Sequence, residues 1–135
     1  MPFATIDGIK TNYQVTGSGT PVLMLAPGGF DSSIMRWSAS GAWKELRPLD
    51  ALADQFQVID YDRREAGDSG GRIEPLTWEC YVRQATGLLD HLGIDSAYVL
   101  GGCMGVSVAL AIGHAAPKRV RGLLLHWPVG GYRWM

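Results

Sequence analysis

The sequence predicts an α/β protein with a mostly parallel sheet flanked by helices and an antiparallel hairpin at its start. Short apolar runs alternate along the chain with segments whose apolar residues recur at helical spacing. Glycine makes up 18 of 135 residues, about twice its usual share, and is concentrated between these segments. Strands that alternate with helices form parallel sheets through right-handed crossovers, so we expect this architecture.

The first half of the chain predicts a hairpin, two buried strands and one helix. Gly8 supplies the hairpin turn. The continuous apolar run over 21–26 is typical of a strand buried on both faces, and residues 58–62 predict a short strand. The helix has an amphipathic pattern, although Pro48 should shift or kink its start. In order, these elements are a hairpin of residues 3–7 and 9–16, a strand over 21–26, a helix over 42–55 and a strand over 58–62.

The second half begins with a polar loop and then alternates helix and strand. Thr77 is a suitable N-cap for the first helix and Gly93 a suitable stop. Pro117 ends the second helix. In order, these elements are a loop over 63–74, a helix over 77–92, a strand over 97–100, a helix over 104–116 and a strand over 120–125.

Composition excludes several classes of function. The chain carries 12 Lys and Arg against 13 Asp and Glu, with no dense basic patch, so we expect no nucleic-acid partner. Its apolar stretches fall short of the roughly 20 residues that span a bilayer, so we expect no membrane partner. The start turns polar by Asp7, unlike a secretory signal, which makes the cytoplasm the expected location. Two cysteines give no disulfide framework, and we expect no metal and no cofactor.

The segment Gly101-Gly102-Cys103-Met104-Gly105 lies between a predicted strand and a predicted helix. A strand that reverses at once into a helix strains the middle residue, and small residues two before and two after it relieve the crowding. The turn raises the Cys103 side chain to the carboxyl end of the sheet, where the helix dipole favours a negative charge. We therefore interpret Cys103 as a candidate nucleophile. The alternative is a small buried side chain in a turn that serves packing alone.

A dinucleotide-binding turn is a competing interpretation, because a glycine-rich strand-to-helix loop also cradles a pyrophosphate. That fingerprint requires Gly-x-Gly-x-x-Gly in the first βα unit. Gly101, Gly102 and Gly105 do not have this spacing, and they follow a late strand. The pattern therefore favours the nucleophile turn.

The chain resembles the N-terminal half of an α/β-hydrolase fold protein. Gly101 to Gly105 resembles the family's Gly-x-Ser-x-Gly elbow with cysteine in place of serine, and residues 89–94 and 116–123 resemble the segments around it. Pro27-Gly28-Gly29-Phe30 resembles the oxyanion loop. The resemblance implies that Cys103 is the nucleophile and that the backbone N–H groups of Phe30 and Met104 form the oxyanion hole.

Residues 62–69, Asp-Arg-Arg-Glu-Ala-Gly-Asp-Ser, resemble the family's Asp-x-Arg-Gly-x-Gly-x-Ser loop. The chain departs from that pattern at Glu65, where glycine is expected. If this position requires a positive φ, glutamate costs about 1 kcal/mol or reshapes the loop. We expect a solvated surface loop here rather than a direct catalytic role.

The family's catalytic acid and histidine lie on loops after its last two strands, beyond Met135 in this sequence. His91 and His114 are expected to face solvent or cap helices. His126 ends the strand expected beside that of Cys103, so a thiol–imidazole pair is one alternative. We favour pocket lining by His126 and Trp127. The aromatic residues Phe30, Trp37 and Trp127 fit either an apolar pocket or the core.

We expect residues 1–135 to form a single, incomplete domain without the last strands and helices of the family fold, and residues 126–135 to begin a cap region. Strand 120–125 is then an exposed apolar edge, which invites pairing. A homodimer partner or a missing C-terminal half is expected to cover it. The segment 126–135 holds two Trp and one Tyr, which suits a cap or an interface.

Two functions remain open. The first is a hydrolase, or its N-terminal portion, that acts on a small-molecule ester, thioester or lactone through Cys103. The second is a catalytically silent relative that binds a small ligand or a partner in the same cleft, because neither acid nor histidine lies where the family places them. The fold alone does not identify the substrate.

Overall fold

The computed structural model describes residues 1–39 and 41–128. A six-stranded sheet runs through it in the order β1-β2-β4-β3-β5-β6. β1 and β2 form an antiparallel hairpin, and β2 pairs antiparallel with β4. The four strands from β3 to β6 are parallel. The strands are β1 Phe3–Ile6, β2 Ile9–Thr16, β3 Thr20–Leu25, β4 Phe56–Tyr61, β5 Ala97–Gly102 and β6 Val120–His126.

Helices flank this sheet on both faces. The prediction of a mostly parallel sheet between helices, opened by a hairpin, is confirmed. The two long helices lie against one face and three short ones against the other. The helices are α1 Arg36–Ala39, α2 Gly41–Leu46, α3 Pro48–Ala53, α4 Trp78–His91 and α5 Gly105–Ala115.

The single helix predicted over 42–55 is wrong, because the chain breaks it into α2 and α3. Arg47 lies between them in the left-handed region, with φ 44° and ψ 58°. Proline disfavours the right-handed helical conformation in the residue before it and has no N–H to continue a helix. Pro48 therefore starts α3 afresh. The short helix α1 lies between the predicted strand over 21–26 and the predicted helix over 42–55, where the sequence predicted no helix.

Alternation along the buried strands divides the core into two layers. One layer packs α4 and α5 against Leu23, Ile59 and Val99, which are all fully buried. The other packs α1 and α2 through Trp37 and Trp43 against side chains of β3 and β4. Both faces of β3 are therefore apolar, as its continuous hydrophobic run predicts.

β6 is the edge of the described sheet and pairs there with β5 alone. Three successive leucines on it, Leu123, Leu124 and Leu125, are 37%, 46% and 42% exposed. An apolar groove of about 410 Å³ lies beside the strand and is lined partly by Tyr98 and Leu100 of β5. The expected exposed apolar edge is therefore present.

No helix among the described residues is long and apolar enough to cross a membrane. The expected cap region at 126–135 falls mostly outside the described residues, of which His126, Trp127 and Pro128 are the last.

Asp60 is a buried carboxyl in β4, only 1% exposed. One oxygen accepts hydrogen bonds from the Tyr61 amide at 2.9 Å and from Trp37 Nε1 at 3.3 Å. The other oxygen has no hydrogen-bond partner within the described part of the chain. Burial raises the pKa of this carboxyl well above its usual value, and the nearby Asp62 carboxylate adds to the effect.

This raised pKa makes the stability of the fold depend on pH. Protonation of Asp60 favours the folded state, so its contribution is complete below the unfolded-state pKa of about 3.9 and is lost as pH rises through the folded-state pKa. The Asp60→Asn variant carries no charge at any pH. We expect its free energy of unfolding, relative to the native chain, to rise by up to about 1.4 kcal/mol per pH unit above pH about 4.

Urea unfolding between pH 4.5 and 8, followed by tryptophan fluorescence, measures this difference. Asp50→Asn is the matched control, because it removes a carboxyl that is 66% exposed and should change the free energy of unfolding by less than about 0.5 kcal/mol. A constant difference between Asp60→Asn and the native chain across this pH range would contradict the raised pKa.

Candidate active site

Two loops leave the sheet side by side at the carboxyl ends of β3 and β5. These strands are parallel neighbours, and Leu25 of β3 lies opposite Gly101 of β5. The chain continues from Leu25 into the loop that holds Gly28 and Gly29, and from Gly101 into the turn that holds Cys103. The two segments singled out in the sequence therefore start from one point of the sheet.

The turn after β5 has the strained backbone that its sequence predicts. Cys103 has φ 52°, in the left-handed region that non-glycine residues rarely adopt. A Cβ on Gly101 would lie 2.6 Å from the carbonyl oxygen of Gly105. A Cβ on Gly105 would collide with the carbonyl oxygen of Leu25. Glycine at both positions lets α5 start directly beside the ends of β3 and β5.

The Cys103 thiol is free and half-buried. Its own amide donates a hydrogen bond to the carbonyl oxygen of His126, at 2.9 Å. Neither the Phe30 amide nor the Met104 amide donates a hydrogen bond to a group within residues 1–39 and 41–128. Two N–H donors on the two adjacent loops thus remain available to a bound molecule.

The loop after β3 is held by hydrogen bonds from its own residues and from the end of β4. Ser32 Oγ donates to the carbonyl of Ala26 at 2.7 Å. The Arg63 amide donates to the carbonyl of Ser32 at 3.0 Å, and the Ile34 amide donates to the Asp62 carboxylate at 2.8 Å. Gly28 has φ 104°, which suits glycine. These bonds fix Ala26, Ser32 and Ile34, whereas the Phe30 side chain between them is 83% exposed.

An aromatic cluster lies beside the turn. The rings of His126 and Trp127 are 5.0 Å apart, and that of His126 lies 4.8 Å from Trp43. Trp43 also packs against Trp37 at 4.9 Å, and a Cβ on Gly102 would lie 2.9 Å from the Trp43 ring. The sequence gives no signal that Trp43 reaches the elbow, because it lies on the apolar stripe of a predicted helix.

The three histidines lie on β6, α4 and α5. The His126 ring makes no hydrogen bond to Cys103 in the described structure, so the thiol–imidazole pair is not formed. His91 ends α4 and lies 3.4 Å from the Tyr13 hydroxyl. His114 lies on the outer surface of α5, in a groove that Trp78 of α4 also lines.

The comparisons with known proteins agree with this geometry. A family model described as alpha/beta hydrolase fold matches residues 21–129. The chain belongs to the α/β hydrolase fold family.

Two curated relatives and one solved structure are similar to this chain. A putative carbamate hydrolase, RutD, of Azorhizobium caulinodans is 33% identical over 93% of this chain and 43% of its own length. A 2-hydroxymuconate semialdehyde hydrolase of Pseudomonas putida is 30% identical over 91% of this chain and 41% of its own. A thermophilic esterase structure from Thermogutta terrifontis is 29% identical, with a TM-score of 0.76, over 92% of this chain and 44% of its own. The chain thus spans less than half the length of these proteins.

The loop after β4 is not the solvated surface loop that the sequence suggested. Its first residues are buried, with Asp62 3%, Arg63 8% and Arg64 2% exposed. Glu65 has φ 62°, so the position does require the left-handed conformation. Burial raises the pKa of the Glu65 carboxyl, but hydrogen bonds from the Arg64 side chain and the Arg72 amide outweigh it and leave the pKa lowered.

The Glu65 side chain compensates for this backbone strain by pairing with a buried cation. Its carboxylate accepts hydrogen bonds from Arg64 Nε at 2.9 Å and from Arg64 Nη2 at 3.1 Å. The Arg64 side chain is fully buried. It also pairs with Glu74 at 2.7 Å, so removal of Glu65 would leave the guanidinium with a single carboxylate that it shares with Arg72.

We therefore expect Glu65→Gly to destabilise the fold, even though glycine suits the backbone better. Relief of the positive φ contributes about 1 kcal/mol, whereas loss of a partner from a buried ion pair costs about 3 kcal/mol. The net loss should be about 2 kcal/mol in urea unfolding.

Arg47→Gly is the matched control. Arg47 has a similar φ of 44°, but its ion pair with Asp50 is exposed on both sides and contributes little. This variant should be neutral or more stable than the native chain. Equal effects of the two glycine substitutions would show that the Arg64 pair adds nothing.

Proposed function

We propose that this α/β hydrolase cleaves an ester, thioester or lactone with Cys103 as nucleophile and the amides of Phe30 and Met104 as its oxyanion hole. The observation that carries this proposal is Cys103 at φ 52° between β5 and α5. It is supported by the N–H groups of Phe30 and Met104, which lie on loops that leave neighbouring strands and are not bonded within the described structure. A strained turn of this kind lifts a side chain toward a bound substrate. The substrate is proposed to be a small acyl compound.

In the proposed mechanism the Cys103 thiolate attacks the substrate carbonyl carbon. The new S–C bond forms as the carbonyl π electrons move to oxygen, which becomes an oxyanion. The Phe30 and Met104 amides donate hydrogen bonds to it, and one such donor contributes about 3 to 4 kcal/mol. Collapse of the intermediate expels the alcohol or thiol, which takes a proton, and water then hydrolyses the acyl-cysteine. A histidine and an acid from outside residues 1–135 are proposed to move the protons.

The relatives support acyl chemistry without naming a substrate for this chain. The similar proteins include a putative carbamate hydrolase and an esterase, which are named for cleavage at carbonyl carbons. His126 and Trp127 are proposed to line the substrate pocket, because both are exposed beside the turn. Their adjacent rings, tilted by 37° to each other, would offer apolar contact to an acyl group.

A catalytically silent binding protein is the second candidate. The observation in its favour is the His126 ring, which packs on Trp43 and makes no hydrogen bond to the thiol in the described structure. In that case the same cleft would bind a small ligand or partner without turnover.

Stoichiometric acylation separates the two candidates. We expect p-nitrophenyl acetate to acetylate Cys103 well before Cys80, which is only 4% exposed, as intact-mass and peptide mass spectrometry would show. Cys103→Ala should abolish the fast phase and Cys80→Ala should preserve it. Slow, equal acetylation of both thiols would contradict the nucleophile assignment, and ligand binding without acylation in a thermal-shift screen would favour the silent protein.

We also propose that the β6 edge is covered by a second copy of the chain or by polypeptide outside residues 1–135. Three adjacent exposed leucines on an edge strand support this, since such an edge pairs readily.

Size-exclusion chromatography with light scattering tests this proposal. The chain should self-associate or unfold without cooperativity, and Leu124→Lys should reduce association. Leu46→Lys is the control, because Leu46 is similarly exposed, at 55%, on α2. A stable monomer that unfolds cooperatively would contradict both forms of cover.

A further inference from the structure

Arg63 is an almost fully buried arginine whose side chain reaches the loop after β3. It is 8% exposed, and its guanidinium donates a hydrogen bond to the carbonyl oxygen of Gly29. The guanidinium carbon lies 4.7 Å from the centre of the Tyr81 ring of α4. A cation is attracted to the face of an aromatic ring at this distance. Arg63 is thus held by α4 while it binds the loop.

The atom that Arg63 binds belongs to the same peptide unit as a proposed oxyanion donor. The Gly29 carbonyl and the Phe30 N–H share one planar, trans peptide group, so the oxygen and the hydrogen point in opposite directions. A hydrogen bond that fixes the oxygen therefore also fixes the direction of the N–H. A cationic donor on the carbonyl further polarises the peptide and strengthens the N–H as a donor.

Little else within the described structure fixes this peptide. A Cβ at Gly29 would meet no atom within 4 Å, and the Phe30 side chain is 83% exposed. The other hydrogen bonds of the loop engage residues on either side of this peptide and none of its own atoms, namely Ala26, Asp31, Ser32, Ser33 and Ile34. A peptide between a glycine and an exposed residue rotates easily unless a specific bond holds it.

We propose that Arg63 is a positioning residue of the oxyanion hole, which acts by fixing the Gly29–Phe30 peptide so that its N–H is presented to the developing oxyanion. This inference rests on the proposed function, because it presumes that the Phe30 amide receives the oxyanion. Arg63 does not touch the substrate in this role, since its guanidinium is buried between the loop and Tyr81.

Two reactions of the same thiol isolate this role. Acylation of Cys103 by p-nitrophenyl acetate passes through a tetrahedral oxyanion. Alkylation by iodoacetamide forms the S–C bond as iodide leaves the attacked carbon, and no oxyanion develops. The ratio of the two rates therefore reports on the oxyanion hole and cancels changes in thiol exposure or ionisation.

We expect Arg63→Met to lower the acylation rate about 30-fold while the alkylation rate stays within about two-fold, because loss or misplacement of one donor costs 10² to 10³ in rate. Arg63→Lys, which keeps a cationic donor, should recover part of the acylation rate. Arg83→Met is the matched control, because Arg83 also lies on the α4 side but is 46% exposed and pairs with Asp7. It should leave the ratio unchanged.

An unchanged ratio in folded Arg63→Met would overturn the proposal, and so would an equal fall in both rates. If Arg63→Met does not fold, Tyr81→Leu tests the same contact, because it loosens the guanidinium and should lower the ratio by a smaller factor. An unchanged ratio in folded Tyr81→Leu would then overturn it.

A structural readout separates this proposal from the proposed function. If the native thiol is alkylated but never acylated, the proposed function fails, and amide NMR still tests Arg63. The Phe30 amide resonance should shift in Arg63→Met or Tyr81→Leu while that of Met104 stays in place. A Phe30 resonance that does not move would overturn the positioning role.

Discussion

The Asp62 carboxylate is the interaction on which the arrangement of the candidate site depends. It is 3% exposed and accepts hydrogen bonds of 2.8 Å from the side chain of Asn12 and the amides of Ile34 and Asp68. These donors belong to β2, the loop after β3 and the loop after β4. A buried carboxylate is tolerated only when such donors compensate for lost hydration, so each segment must keep its place for the others to keep theirs.

The position of the Asp62 carboxylate also explains why glycine occupies position 67, outside the candidate site. Gly67 has φ 54°, and a Cβ there would collide with the Asp62 carboxylate. The backbone of the loop after β4 therefore closes directly over the charge. Asp62 binds the loop that carries Phe30 through the Ile34 amide, and its neighbour Arg63 binds the same loop through the Gly29 carbonyl. The loop after β3 is thus held mainly by residues at the end of β4, its neighbour in the sheet.

The features that sequence predicts well are those fixed by local patterns. The hairpin, the buried strands, α4 and the left-handed position of Glu65 all follow from periodicity, turn residues or motif. The long-range features were not predictable. The burial of Asp62 depends on a hydrogen bond from Asn12, which lies 50 residues away in the sequence. The approach of Trp43 to Gly102 and the bond from Arg63 to Gly29 likewise exist only once the strands are in register.

The edge strand and the candidate nucleophile are coupled through the backbone. The Cys103 amide donates to the carbonyl of His126, the last residue of β6, and this bond extends the β5–β6 ladder into the turn. A strand paired with the other side of β6 would restrain β6. It would thereby restrain the His126 carbonyl that binds the Cys103 amide. It would also cover the three exposed leucines that precede His126. Pairing at this edge and the position of the Cys103 thiol therefore depend on the same strand, because β6 forms the edge of the described sheet and its last residue binds the turn.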